Sequence, residues 1–299
     1  MFSSLSLTIV TLFHVCIAAV TPGSLSLIEP TSFANPTNAS FNLYVPKALA
    51  AKPALLVAVH YCTGNGPAFY RNTQYAKFAE THGFIVVYPG SPNAGTCWDV
   101  SSAASLSNTE KGDSGSIIGM VKWTLKNYPA IDKTKVFLVG ESSGAMMTNV
   151  LSAAYPNIFT ASIAYAGVPA GCFVATGKPL AVAWWNSTCS TGKSIATPAL
   201  WAATAKAMGP KNYKGSRPKM LIYHGGKDGI VNPQNYEETI KQWSGVFGYE
   251  KPISIAKATP AADHVTTTYG PLLKGVLGAN QPHSLTLFPN NDMAWFGFT

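Results

Sequence analysis

An α/β domain, with a mostly parallel central sheet and helices on both of its faces, is the fold class that this sequence predicts. Two observations carry that expectation. Segments of strand and helix character alternate along the chain, the pattern that parallel strands joined by crossover helices require. The first strong strand, Ala54-Leu55-Leu56-Val57-Ala58-Val59, is apolar without alternation, as a strand buried on both sides must be. A helix over Thr73 to His82 follows, with Tyr75, Phe78 and Ala79 spaced for one face. Phe84-Ile85-Val86-Val87-Tyr88 is the next strand, stopped by Pro89-Gly90. Asp113 is suited to cap a helix that runs to about Tyr128 and turns Ile117, Met120, Val121, Thr124 and Leu125 inward.

The strand Val136-Phe137-Leu138-Val139 leads into Gly140-Glu141-Ser142-Ser143-Gly144 and then a helical run, Ala145 to Leu151. Ala161 to Tyr165 reads as a short strand. From about Gly167 to Lys214 the chain is rich in Gly, Pro and Trp, and loops over the active face are expected there. Lys219 to His224 is a late strand and Pro233 to Trp243 a helix. Thr266 to Leu277 is a last strand broken by Gly270-Pro271. No repeat, low-complexity tract or appended module interrupts the pattern, so residues 20–299 read as one domain.

Residues 1–19 read as a cleaved signal peptide. Leu5 to Val20 is apolar and closes on the small residues Ala18 and Ala19, although no Lys or Arg precedes it. A membrane anchor is the alternative. It is disfavoured because the run contains His14 and several hydroxyl residues, and falls short of the ~20 apolar residues that a span needs. A secreted, extracellular protein is therefore expected. Loss of Cys16 with the leader leaves Cys62, Cys97, Cys172 and Cys189, an even set that suggests disulfides. Three pairings are possible. Nearest-neighbour closure, Cys62–Cys97 with Cys172–Cys189, is preferred because neither loop crosses the other. Asn38-Ala39-Ser40 and Asn186-Ser187-Thr188 have the form of glycosylation acceptors.

The formal net charge is +8, but all basic residues except Arg71 and Arg217 are lysines scattered singly. No basic run or Arg cluster could grip phosphates, so no nucleic-acid partner is expected; neither is a membrane, and the chain reads as a monomer.

Chemistry is concentrated at Ser142. A serine in G-x-S-x-G, between a strand and a helix, sits on a sharp turn that exposes its Oγ and places helix N–H groups behind it. Such a nucleophile needs an imidazole to take its proton and a carboxylate to orient that imidazole. After Ser142 the acidic residues are Asp228, Glu237, Glu238, Glu250, Asp263 and Asp292, and the histidines are His224, His264 and His283. Asp228 lies just past the strand ending at His224, where functional groups of open α/β sheets collect. Asp263 is its rival. Glu237 and Glu238 read as solvated helix residues, His264 as a surface histidine, and His224 as a core or loop-anchoring one. His283, near the chain end, is left as the base. The oxyanion donors expected are the N–H of Ser143 and that of Cys62, in the loop after Val59. His224 and Asp228 lack a third partner at suitable spacing, so no metal and no cofactor is expected.

With these residues placed, the chain resembles the secreted fungal acetylxylan esterases of carbohydrate esterase family 1. That group also contains feruloyl esterases and is similar to polyhydroxybutyrate depolymerases. The most specific segments are Cys97-Trp98-Asp99-Val100-Ser101-Ser102, Ser142 to Val150, and Ala166 to Phe173. Tyr223-His224-Gly225 with Asp228, Pro233-Gln234-Asn235-Tyr236, and Trp295-Phe296-Gly297 add to them. The resemblance implies an α/β-hydrolase fold with Ser142 as nucleophile, Asp228 as acid and His283 as base. It implies deacetylation of xylan, with feruloyl ester hydrolysis and a non-catalytic wall-binding role as alternatives. Trp184 and Trp185 are similar to a family position that lines the acyl or sugar site, with a core-packing role as the alternative. The chain departs from the family pattern at Glu141, where Thr or Ser is usual, and at Pro282, where Gly is.

Overall fold

Alternate side chains of strand β3 (Leu55–Val59) enter two different cores: Leu55, Val57 and Val59 pack on one side of the sheet, Leu56 and Ala58 on the other. The period of two along a strand produces this division, and it explains why the segment has no polar face. The computed structural model describes residues 20–175 and 182–298; the expected leader, residues 1–19, lies outside them.

Six strands run parallel at the centre, in the order β4 (Ile85–Gly90), β3, β5 (Val136–Glu141), β6 (Ala161–Tyr165), β7 (Lys219–Gly225) and β10 (Leu273–Gly278). Antiparallel strands extend both edges: β2 (Ser40–Tyr44) and β1 (Leu25–Ile28) beside β4, and β9 (His264–Gly270) and β8 (Ser254–Lys257) beside β10. One face is covered by α3 (Gly112–Asn127), α4 (Ser143–Ala154), α6 (Pro198–Met208) and α7 (Gln234–Phe247). The other is covered by α1 (Gly66–Asn72), α2 (Tyr75–His82) and α8 (Pro289–Phe296). Each fully buried Leu or Val in these layers contributes roughly 1.5–3 kcal/mol relative to exposure. Among the described residues, no helix is long and apolar enough to cross a membrane.

Several local expectations are corrected. Strand β4 continues through Pro89-Gly90, because beyond Val87 it is paired only with β2, and the missing Pro89 N–H breaks no ladder on its other side. Asp113 does not cap α3; the cap position is Lys111, and the Asp113 carboxylate is buried, accepting from the Asp99 N–H at 2.9 Å and Asn93 Nδ2 at 2.7 Å. The stretch expected as loops after Gly167 contains α6 and the short α5 (Ser187–Ser190). Thr266 to Leu277 is not one broken strand but the hairpin β9–β10, with Gly270-Pro271 at its turn. Glu238 is not solvated: it is buried and accepts from Trp201 Nε1 at 2.8 Å and from Lys241 at 2.7 Å. His264 is likewise buried, 2.6 Å from the Asp263 carboxylate and edge-on to Phe288.

Helix α8 is fastened to the sheet by Asp292, which receives Tyr75 Oη at 2.9 Å and Tyr165 Oη at 2.7 Å. Burial raises this carboxyl to about 7, although the two tyrosine hydrogen bonds oppose the shift. In the unfolded chain the group ionises near the ordinary carboxylate value, so between pH ~4 and ~7 the folded state holds the additional proton. Folding stability from this site is thus fully present below pH ~4 and is lost as pH rises through about 7. In Asp292→Asn that component is absent. Its melting temperature, followed from pH 4 to 8, is expected to change less with pH than that of the parent; parallel curves would refute this.

Candidate active site

The carboxyl ends of β3, β5, β7 and β10 open onto one rim of the sheet, and each delivers one part of the site. The ladder sets their depth: Val59 lies opposite Gly140, and Gly278 opposite Gly225. Past β5 the chain turns at Ser142, with φ 54° and ψ −119°, a left-handed conformation that side-chain-bearing residues rarely adopt. The Ser142 N–H bonds the Tyr165 carbonyl at 2.8 Å, and its own carbonyl receives the Met146 N–H at 3.0 Å, so the turn is fixed on both sides. Gly144 is required here, since a Cβ would lie 2.1 Å from the Val59 carbonyl oxygen.

Asp228 follows β7 in the turn Gly225-Gly226-Lys227. Its Oδ1 accepts the N–H groups of Ile230 at 2.9 Å and Val231 at 2.8 Å. Its Oδ2 faces His283 Nδ1 at 2.7 Å and His224 Nε2 at 3.3 Å. Burial by itself would raise this carboxyl, but hydrogen bonds from His224 and His283 outweigh it and hold Asp228 well below the usual carboxylate range. The group is therefore a carboxylate at any working pH.

His283 arrives after β10. Gly225 admits its loop, because a Cβ there would lie 2.4 Å from the carbonyl oxygens of Gln281 and Pro282. His283 Nε2 is 2.8 Å from Ser142 Oγ. With Nδ1–H donated to Asp228, the Nε2 lone pair faces the serine hydroxyl. The rival carboxylate, Asp263, is bound instead to His264 and Gln281.

The loop after β3 forms the opposite wall. Cys62 is joined to Cys97, and the Thr63 N–H bonds the Gly95 carbonyl at 2.8 Å. Among the described residues the Cys62 N–H has no acceptor of its own. Beneath the loop, buried His60 accepts the Ser91 N–H at Nε2 (3.1 Å) and donates Nδ1–H to the Tyr61 carbonyl (2.6 Å). Burial lowers His60 to about 4 despite that backbone bond, so it is a neutral strut. The second disulfide joins Cys172 and Cys189.

Ser142, His283, Glu141, Cys62 and Trp185 line one cavity of about 840 Å³. Burial raises the Glu141 carboxyl, opposed by attraction to His283. Trp185 also borders a second cavity of about 620 Å³, which Trp184 and Trp201 line as well. Both Trp184 and Trp185 are 43% exposed. Of the two sequons, Asn38 is exposed, whereas Asn186 caps α5 by accepting the Cys189 N–H at 3.1 Å. Among the described residues no His, Cys, Asp or Glu cluster could hold a metal ion.

Sequence reasoning missed two supports of the site. His224 carries its proton on Nε2, shared between the Val231 carbonyl at 2.9 Å and Asp228, so it braces the acid as well as the loop. The second is the Asp99–Asp113 contact, in which Asp113, expected as a helix cap, accepts the Asp99 N–H at 2.9 Å; nothing local distinguishes Asp99 from a turn polar group.

A sheet of this topology, with a serine elbow, an imidazole and a carboxylate on one rim, defines a serine carboxylic-ester hydrolase of the α/β-hydrolase class. The model of the family described as Esterase PHB depolymerase matches residues 39–266. Acetylxylan esterase A of Aspergillus oryzae is 55% identical over 282 residues, covering 93% of this chain and 90% of that protein. Acetylxylan esterase A of Emericella nidulans is 52% identical over 282 residues, covering 93% and 91%. Among solved structures, the acetyl xylan esterase from Aspergillus awamori superposes with a TM-score of 0.89 at 48% identity, covering 93% of this chain and all of that one. The chain belongs to the Esterase PHB depolymerase family and is closely related to these fungal acetylxylan esterases.

Proposed function

We propose that this protein removes O-acetyl groups from xylan, with Ser142 as nucleophile, His283 as general base and Asp228 as the group that orients the imidazole. The observation that carries the reading is the unbroken relay from Ser142 Oγ to His283 (2.8 Å) to Asp228 (2.7 Å) at the floor of the Trp185-walled cavity. Ser142 Oγ attacks the acetyl carbonyl as its proton passes to His283 Nε2. The tetrahedral oxyanion is held by the N–H groups of Cys62 and Ser143, the latter at the start of α4. Collapse expels the sugar oxygen, which takes the proton from His283. Water, deprotonated by the same imidazole, then attacks the acetyl-Ser142 ester, and acetate and free Ser142 result.

A cavity of about 840 Å³ is larger than an acetyl group needs. The remaining space suits the pyranose that bears the ester, with Trp185 offering an aromatic face. The same space could admit a hydroxycinnamoyl group, which makes feruloyl ester hydrolysis the competing outcome. Purified protein is expected to release acetate from acetylated xylan at a kcat/KM at least tenfold above that for methyl ferulate. The reverse order would replace acetylxylan by feruloyl polysaccharide as the substrate. Residues 1–19 act in this reading as the leader of a secreted monomer whose single catalytic domain is residues 20–299. Asn38 is the exposed candidate for a glycan, and Asn186 the second.

A further inference from the structure

Trp185 borders two cavities, packs edge-on to Phe173 with ring centroids 5.1 Å apart, and lies where residues 182–186 are neither helix nor strand. A buried carboxylate anchors the backbone just before it. Asp99 Oδ1 accepts Ser101 N at 3.1 Å, Ser101 Oγ at 2.9 Å, Ser102 N at 3.0 Å and Ala183 N at 3.0 Å. Its Oδ2 accepts Ser105 Oγ at 2.8 Å and the Ser102 hydroxyl. An ionised carboxylate only accepts, so it turns every surrounding hydroxyl proton towards itself. Ser101 Oγ, itself bonded to Asp99 at 2.9 Å, accepts the Trp184 N–H at 2.8 Å. Burial would raise the Asp99 carboxyl, but hydrogen bonds from Ser102, Ala183 and Ser105 outweigh it and keep the group ionised. The other end of this knot is the oxyanion loop: Cys97 is bonded to Cys62, and Trp98 Nε1 donates to the His60 carbonyl at 2.9 Å.

We propose that Asp99 and Ser101 are positioning residues that hold the Trp184-Trp185 wall at a fixed distance from the Cys62 loop, and so set how the sugar part of the ester is gripped. Neither residue lines the cavity of Ser142 and His283; they act through the backbone N–H groups of Ala183 and Trp184. The inference rests on reading that cavity as the ester site. It predicts a separation of effects, since an acetyl group on a small alcohol does not reach the wall whereas a xylosyl unit does.

The test is Ser101→Ala, which removes the acceptor of the Trp184 N–H and leaves the Asp99 carboxylate in place. In protein labelled with 5-fluorotryptophan, with resonances assigned through Trp185→Phe and Trp243→Phe, the Trp185 signal is expected to shift and broaden while that of Trp243 stays in place. KM for acetylated xylo-oligosaccharides is expected to rise ~5-fold, the order of one lost hydrogen bond, with kcat/KM for ethyl acetate unchanged. In a Trp185→Ala background the same substitution should add nothing further, because its effect passes through the indole. An unmoved Trp185 resonance would overturn the proposal. Equal losses on both esters, or KM increases that multiply in the double variant, would overturn it too. Absence of acetate release from xylan by the parent protein would instead refute the proposed substrate, and the fluorine resonance would still decide the anchoring.

Discussion

Ser142→Ala is expected to lower ester turnover by ~10⁴- to 10⁶-fold while leaving the melting temperature nearly unchanged. The size follows from the role: without Oγ no acetyl-enzyme forms, and only the oxyanion donors and substrate binding remain to assist water. The unchanged fold follows from the geometry. Ser142 is held in its left-handed conformation by backbone bonds, from its N–H to Tyr165 and from Met146 to its carbonyl, and alanine retains both. The Cβ is common to the two residues, so no new contact arises at the crowded turn. Acetate release and thermal unfolding, measured on the same preparation, check both halves. Turnover within tenfold of the parent would remove Ser142 from the reaction.

Asp228→Asn is expected to cost on the order of 10⁴-fold in kcat through the imidazole tautomer rather than through geometry. The amide oxygen must stay where Oδ1 is now, because two backbone N–H groups, from Ile230 and Val231, point at it. The amide nitrogen then occupies the Oδ2 position and presents N–H to His283 Nδ1, 2.7 Å away. Nδ1 can accept that bond only by giving up its own proton, which moves to Nε2. There it faces Ser142 Oγ, and the imidazole is no longer a base for it. His224 sharpens the effect, since its Nε2–H would also meet a donor at 3.3 Å. Steady-state kinetics, together with nitrogen chemical shifts of the His283 ring, test the tautomer directly. A variant that keeps Nδ1 protonated and loses less than tenfold would refute this account.

The legible parts of the molecule were those governed by local rules. An unbroken apolar run marked β3, because a strand buried on both faces has no polar side to show. Strands β1, β2 and β8, in the antiparallel extensions of the sheet, escaped notice. They are short, and β8 exposes every residue, so pairing with a neighbour rather than composition makes them strands. Helix α1 was hidden in a segment beginning Gly66-Pro67, which reads as a turn until Asn65 is seen to cap it by accepting the Ala68 N–H.

At the candidate site, chain order and the small number of acids and histidines after Ser142 singled out Asp228 and His283 as candidates, and these two side chains lie within hydrogen-bond reach of each other and, through His283, of Ser142. By itself the sequence determined the fold class and the serine turn, since each depends on residue type and on position along the chain. Only tertiary structure decided which polar groups are buried and what they support. His224, His60, Glu238 and Asp99 find their roles through neighbours brought up by other strands and loops. The physical reason is that a polar side chain has the same composition in water as in a core. Its function is fixed by the partners that replace water, and those partners are supplied by the packing of the whole chain.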